Sequence, residues 1–152
     1  MAPGEALGGG EEEGEEEAEN IERKMVYHML GAFAGLSGAV GVGLGAIGAH
    51  AMKSKLNAYQ MGAWNTATQY QLLHSLALLY TLSLPPTGPV VAASYAFATG
   101  ITFFSGSIYG LCLTKPDNPV RKLLGPITPI GGLSMIAGWL LLAYAKRPRS
   151  IR

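Results

Sequence analysis

Carboxylates are almost missing from most of this chain. Nine of its ten acidic residues lie at or before Glu22, and the tenth, Asp117, stands alone. That excludes paired carboxylates as catalysts beyond the N-terminus, and with them the intramembrane Asp or Glu of proton-coupled transport. Cysteine occurs once, at Cys112, so neither an intrachain disulfide nor a multi-cysteine metal site can form. Between Lys55 and Lys115 there is no charged residue of either sign. The whole chain is only 14% charged and 49% apolar. All eleven basic residues lie at or after Arg23, in short clusters between apolar runs. Membrane proteins distribute charge in this way, and nothing here resembles a nucleic-acid-binding patch.

The 152 residues suffice for one domain plus tails. Residues 1–24 hold GGG followed by EEEGEEEAENIE, which has little to bury and repels itself, so a disordered acidic tail is expected. It suits neither a transit peptide, which is Arg-rich, nor a secretory signal, which begins positive. Residues 25–146 read as an all-α membrane protein, a four-helix transmembrane bundle with spans near 25–52, 56–84, 90–113 and 123–145. Residues 147–152 form a basic C-terminal tail. In the fourth span, a helix starting near Pro126 would hold Pro126 and Pro129 in its first turn, where the amides lack intrahelical partners anyway. With four spans, Arg23, Lys24, Lys146, Arg147, Arg149 and Arg152 share a side, and the opposite side holds Lys53, Lys55, Lys115, Arg121 and Lys122. The positive-inside rule then places both termini on the cytoplasmic or matrix-equivalent face.

Small residues mark the helix faces. Gly31, Gly35, Gly38 and Gly45 share one face of the first span, and Gly106 and Gly110 repeat the four-residue spacing in the third. Such spacing lets helix backbones approach closely, so these six are the expected packing positions. The second span carries a polar stripe through Asn57, Gln60, Trp64, Thr68, Gln71 and Ser75, with His74 at its edge. Lipid would leave these groups unpaired, so the stripe should face other helices or a wet cavity. An interfacial helix over 56–71 is the alternative. A polar interior or ligand site would draw on His50, Thr68, Gln71, His74, Ser75 and Thr128. Haem or metal ligation by His50 and His74 lacks ligand pairs at a diagnostic spacing, so no cofactor is expected. No hydrolytic triad is evident either.

The stretches 45–50 (GAIGAH), 64–78 (WNTATQYQLLHSLAL), 100–109 (GITFFSGSIY) and 124–132 (LGPITPIGG), followed by AGWL at 137–140, resemble the transmembrane protein 256 family, also called domain-of-unknown-function family 423. The resemblance covers most of residues 31–145. It implies a small multi-pass membrane protein of the kind found in bacteria and eukaryotes, with no activity to carry over; the acidic extension departs from the short N-terminus usual there. Bacterial relatives make the mitochondrial inner membrane or the plasma membrane plausible. The expected role is structural: a non-enzymatic assembly or interaction protein in the lipid bilayer that packs through Gly-rich faces, as a homo-oligomer or with a membrane-complex partner. The alternative is a small binding or permeation module for a lipid, quinone, haem or small solute, built on the polar stripe.

Overall fold

The computed structural model describes residues 8–147, and no strand occurs among the described residues. Four helices follow in order: α1 (Gly8–Ile47), α2 (Ala58–Leu82), α3 (Gly88–Leu113) and α4 (Arg121–Ala145). A π-helical turn, Gly48–Met52, prolongs α1. Residues 1–7 of the acidic tail, and Arg149 and Arg152 of the basic one, lie outside the described residues.

Local chemistry sets the helix ends. Asn57 and Gln60 form a capping box at the start of α2: the Asn57 side chain accepts from the Gln60 amide at 2.9 Å, and the Gln60 side chain accepts from the Asn57 amide at 3.1 Å. Pro85 and Pro86 end the α2 run, and Pro89 falls in the first turn of α3, where its missing N–H costs nothing. At the other end of α3, Arg121 Nη1 donates to the Leu111 carbonyl and, at 3.1 Å, to that of Thr114, capping orphan carbonyls.

Successive helices run antiparallel. Along α1 and α2 the Leu44 carbonyl meets Trp64, Ser37 meets Gln71, and Ala34 packs with Ala77 and Leu78. From α2 to α3, Gln60 pairs with Cys112 and Ser105 with the Ala67 carbonyl. From α3 to α4, Ser107 meets Thr128 and Thr99 meets Ser134. All four helices contribute to one apolar cluster, Ala34, Ala77, Leu78, Ala93, Phe97 and Leu142. A second cluster, around Trp64, Ala67, Ile108 and Cys112, fills the end carrying the α1–α2 and α3–α4 connections. α2 is one unbroken helix packed against both α1 and α3. The helices α1, α3 and α4 are long and apolar enough to cross a membrane, whereas α2 falls short in apolarity.

Two features differ from expectation. The acidic stretch, expected as disordered chain, is helical from Gly8 and continues directly into the first span. Glutamate is a good helix former, the membrane helix supplies a ready nucleus, and Glu19 pairs with Arg23 one turn on. This extension does stand apart from the bundle, since residues 13–25 are all exposed. Second, α4 starts at Arg121 rather than near Pro126, so Pro126 and Pro129 lie inside the helix. Asn118 starts it early: its side chain accepts from the Val120 amide at 2.9 Å and its carbonyl from the Arg121 amide at 3.1 Å. Prolines are tolerated within membrane helices because neighbouring helices and Ser/Thr side chains re-satisfy the backbone.

Candidate functional site

The inner side of α2 is a hydrogen-bonded seam. Gln71, 6% exposed, donates from Nε2 to the Ser37 carbonyl at 2.8 Å. A carbonyl can only accept, so this contact fixes the amide's orientation and leaves Oε1 facing Tyr109. The Tyr109 hydroxyl lies 3.0 Å from that oxygen and 3.1 Å from Thr68 Oγ1, and its single proton is shared between them. Thr68 donates to the Trp64 carbonyl, and Ser75 donates to Ser37 Oγ at 2.9 Å. Trp64 donates to the Leu44 carbonyl at 2.9 Å, just before the helix switches to π geometry, and Ser105 donates to the Ala67 carbonyl at the same distance. Thr68, Gln71, His74 and Ser75 are all buried. Among the described residues, Tyr27 Oη is the one buried side-chain polar atom without a partner.

His74 occupies a separate position facing α4. Its Nδ1 lies 2.8 Å from the Tyr70 carbonyl, and Trp139 Nε1 donates to its Nε2 at 3.2 Å. The carbonyl needs a donor and the indole an acceptor, so the imidazole is neutral with its proton on Nδ1. Both nitrogens are thereby engaged, and no lone pair is left for a ligand. Phe97 and Trp139 pack edge-on beside it, their centroids 5.3 Å apart. His50 sits far from this centre, exposed in the π-helical turn, so the two histidines are not brought together. Thr128 is also remote from the α2 seam: it bonds Ser107 at 2.7 Å across the α3–α4 contact.

Glycines divide by what surrounds them. Around Gly31, Gly35, Gly38 and Gly106 an added Cβ would meet nothing within 4 Å, so among the described residues these four do not pack helices together. The α1 face that does meet α2 is offset from them round the helix and runs through Ala34, Ser37, Gly41 and Gly48. Gly45 borders it, with Thr68 Cγ2 at 3.3 Å from a notional Cβ, and Gly110 lies against Leu124. The tightest approach joins α3 to α4 at Gly100, Gly131 and Gly138, where a Cβ on Gly131 would run into the Phe104 backbone. Helical spacing alone does not say which of several small-residue faces meets a neighbour. Asn65 and Gln69 were likewise not distinguished by the stripe. They lie on the opposite, exposed side of α2, and no hydrogen bond to either side chain occurs among the described residues.

Clefts border the seam. One of about 310 Å³ opens between α1 and α3, with apolar walls such as Phe33, Leu36 and Ile101 and an inner wall of Ser37, Gln71, Ser105 and Tyr109. A second, of about 410 Å³, continues along the same two helices past Tyr95 and Phe103. A third, of about 490 Å³, lies between α2, α3 and α4 near Arg121.

Long apolar helices around a buried polar seam, with charges gathered at the helix ends, define a small multi-pass integral membrane protein. The chain belongs to the family described as "Protein of unknown function (DUF423)", whose model matches residues 44–132. It is 42% identical over 114 residues to a UPF0382 membrane protein of Schizosaccharomyces pombe, covering 70% of this chain and 91% of that one. A UPF0382 membrane protein of Staphylococcus aureus is 40% identical over 122 residues, covering 79% and 93%. The UPF0382 membrane protein YwdK of Bacillus subtilis is 36% identical over 124 residues, covering 79% and 94%. No solved structure matches the chain.

Proposed function

We propose that this protein is a non-enzymatic packing element of a membrane complex, receiving a transmembrane helix of another protein on the open face of α1. The observation that carries this reading is a contrast between inside and outside. Indoors, the polar groups of α2 are satisfied within the chain, which gives a ligand or a permeating solute little to bind. Outdoors, Gly31, Gly35 and Gly38 lie open along α1, a surface against which another helix backbone can pack closely. The unpaired amides Asn65 and Gln69 add a reason for the outer surface to be covered, because lipid gives them no partner.

Charge selects the kind of partner. The same helix carries Glu13, Glu15, Glu16, Glu17, Glu19 and Glu22 beyond its membrane stretch, and only Glu19 is ion-paired among the described residues. Two copies packed in parallel through α1 would bring these carboxylates together, so a second copy fits poorly. A helix with Lys or Arg just outside its span fits well.

Blue-native electrophoresis of solubilised native membranes tests this. Wild type should migrate in an assembly larger than the monomer, and Gly35→Leu and Gly38→Leu should release it while the purified protein melts as before. Replacing Glu13, Glu16 and Glu17 with Lys should weaken the same assembly. Unchanged migration of both glycine variants would refute the proposal.

A further inference from the structure

The cleft between α2, α3 and α4 differs in kind from the two along α1. Neither of those has a charged residue in its walls, whereas this one has a cation at its mouth. Arg121 is half-buried there and held in place through one nitrogen only: Nη1 donates to the carbonyls of Leu111 and Thr114 and approaches Thr114 Oγ1 at 3.3 Å. Among the described residues its other guanidinium nitrogens have no hydrogen-bond partner, and it forms no ion pair. The connections at this end of the bundle also bring Lys53, Lys55, Lys115 and Lys122, against the single acidic Asp117.

Away from the cation the cleft carries no further charged residue. Tyr59 and Gln60 stand near the mouth on the first turn of α2, while Ala63, Ile108 and Leu111 supply apolar wall. From Arg121 to Thr128 the cleft follows α4 for about 10 Å, seven residues of helix rise. The Thr128 hydroxyl at the deep end is already bonded to Ser107 and to the Leu124 carbonyl, so that end asks for no polar ligand. A positioned guanidinium with donors to spare, above an apolar slot at the end of a membrane bundle, matches a phosphate group with hydrocarbon attached.

We infer that this cleft binds one phosphate-bearing anionic headgroup on Arg121, with the attached acyl chain lying against Ala63 and Ile108. A capping arginine alone would need neither a cleft of about 490 Å³ beside it nor unspent donors facing out.

The test is native mass spectrometry of the whole protein in mild detergent, titrated separately with phosphatidylglycerol, phosphatidylcholine and inorganic phosphate. One phosphatidylglycerol should be retained at concentrations where phosphatidylcholine is not. Arg121→Gln should lower that affinity about tenfold or more, the worth of a lost charge-assisted pair. Thr66→Trp, which fills the cleft from an exposed position on α2, should lower it as well. Thermal melts check that each variant is folded. Inorganic phosphate that binds alone and displaces the lipid would uphold the anion site, with free phosphate as its source. Equal retention of the two lipids would overturn the inference, and so would loss on Arg121→Gln with none on Thr66→Trp, which would put the anion on the rim.

Discussion

Replacing Gly131 by Ala should be the most damaging single-methyl change in the bundle. The added Cβ would run into the Phe104 amide nitrogen and would lie 2.8 Å from Phe103 C and 2.9 Å from Phe104 Cα. All three atoms are backbone, so no rotamer change can relieve them, and α3 and α4 must separate. Over-packing in a close-packed core costs about 1–3 kcal/mol, and a site that cannot yield belongs at the top of that range. Helix propensity returns about 0.8–1 kcal/mol on replacing Gly by Ala, which leaves a net loss of about 2 kcal/mol. Gly138→Ala meets the Phe97 ring at 2.7 Å, and Gly100→Ala meets Met135 Cγ at 2.6 Å with backbone no nearer than 3.1 Å, so neither meets backbone as closely as Gly131 and each should lose less. Gly35→Ala meets nothing and should be neutral or gain slightly. Equilibrium unfolding of the purified protein in mixed detergent and SDS micelles would rank the four variants. If Gly131→Ala and Gly35→Ala unfold at the same SDS fraction, the close α3–α4 approach is wrong.

Three further outcomes follow from the polar groups. Tyr109→Phe removes the hydroxyl shared by Gln71 and Thr68 and should cost about 0.6 kcal/mol, with a ceiling near 2, in the same unfolding assay; a gain in stability would contradict the shared bond. In 15N NMR of detergent-solubilised protein His74 should appear as a neutral ring protonated at Nδ1, and Trp139→Phe should shift its Nε2 resonance; an Nε2-protonated ring would break the assignment. Gln69→Leu should leave the isolated protein at least as stable as wild type, because the amide has no partner among the described residues, whereas Gln71→Leu should destabilise it by leaving the Tyr109 hydroxyl without its amide partner. Equal losses in the two variants would show that Gln69 is engaged after all.

Much of the fold was legible because its determinants are local and strong. Runs free of charge and of helical length announce membrane helices, and the prolines at 85, 86 and 89 punctuate them. The inward side of α2 was legible too, since amides and hydroxyls in an apolar setting must find partners. What the pattern could not decide was azimuth. The helices α1, α3 and α4 are rich in Gly and Ala, so several faces satisfy the small-residue rule, and the choice between Gly35 and Gly41 depends on where α2 lies. The partners Ser37, Ser105 and Tyr109 escaped for a similar reason: single hydroxyls on other helices have no periodic signature. Asn57 and Gln60 carry two local signals at once, since Asn-x-x-Gln before a helical run marks a capping box as readily as it extends a stripe. The early start of α4 depends on an Asn118 turn, which the nearby prolines obscured.

The modest apolarity of α2 bears on the order in which the chain can enter a membrane. A helix carrying Gln71, His74 and Ser75 partitions poorly into lipid on its own, and its stripe is shielded by Ser37 on one side and by Ser105 and Tyr109 on the other. During synthesis α1 emerges first and can meet α2, but α3, which ends at Leu113, is complete only 31 residues after α2 ends at Leu82. Until α3 arrives, α2 is better held at the insertion machinery than released. Integration of α2 should therefore be delayed and cooperative, and truncation just before α3 should leave it slipping back across the bilayer, although α2 itself is intact.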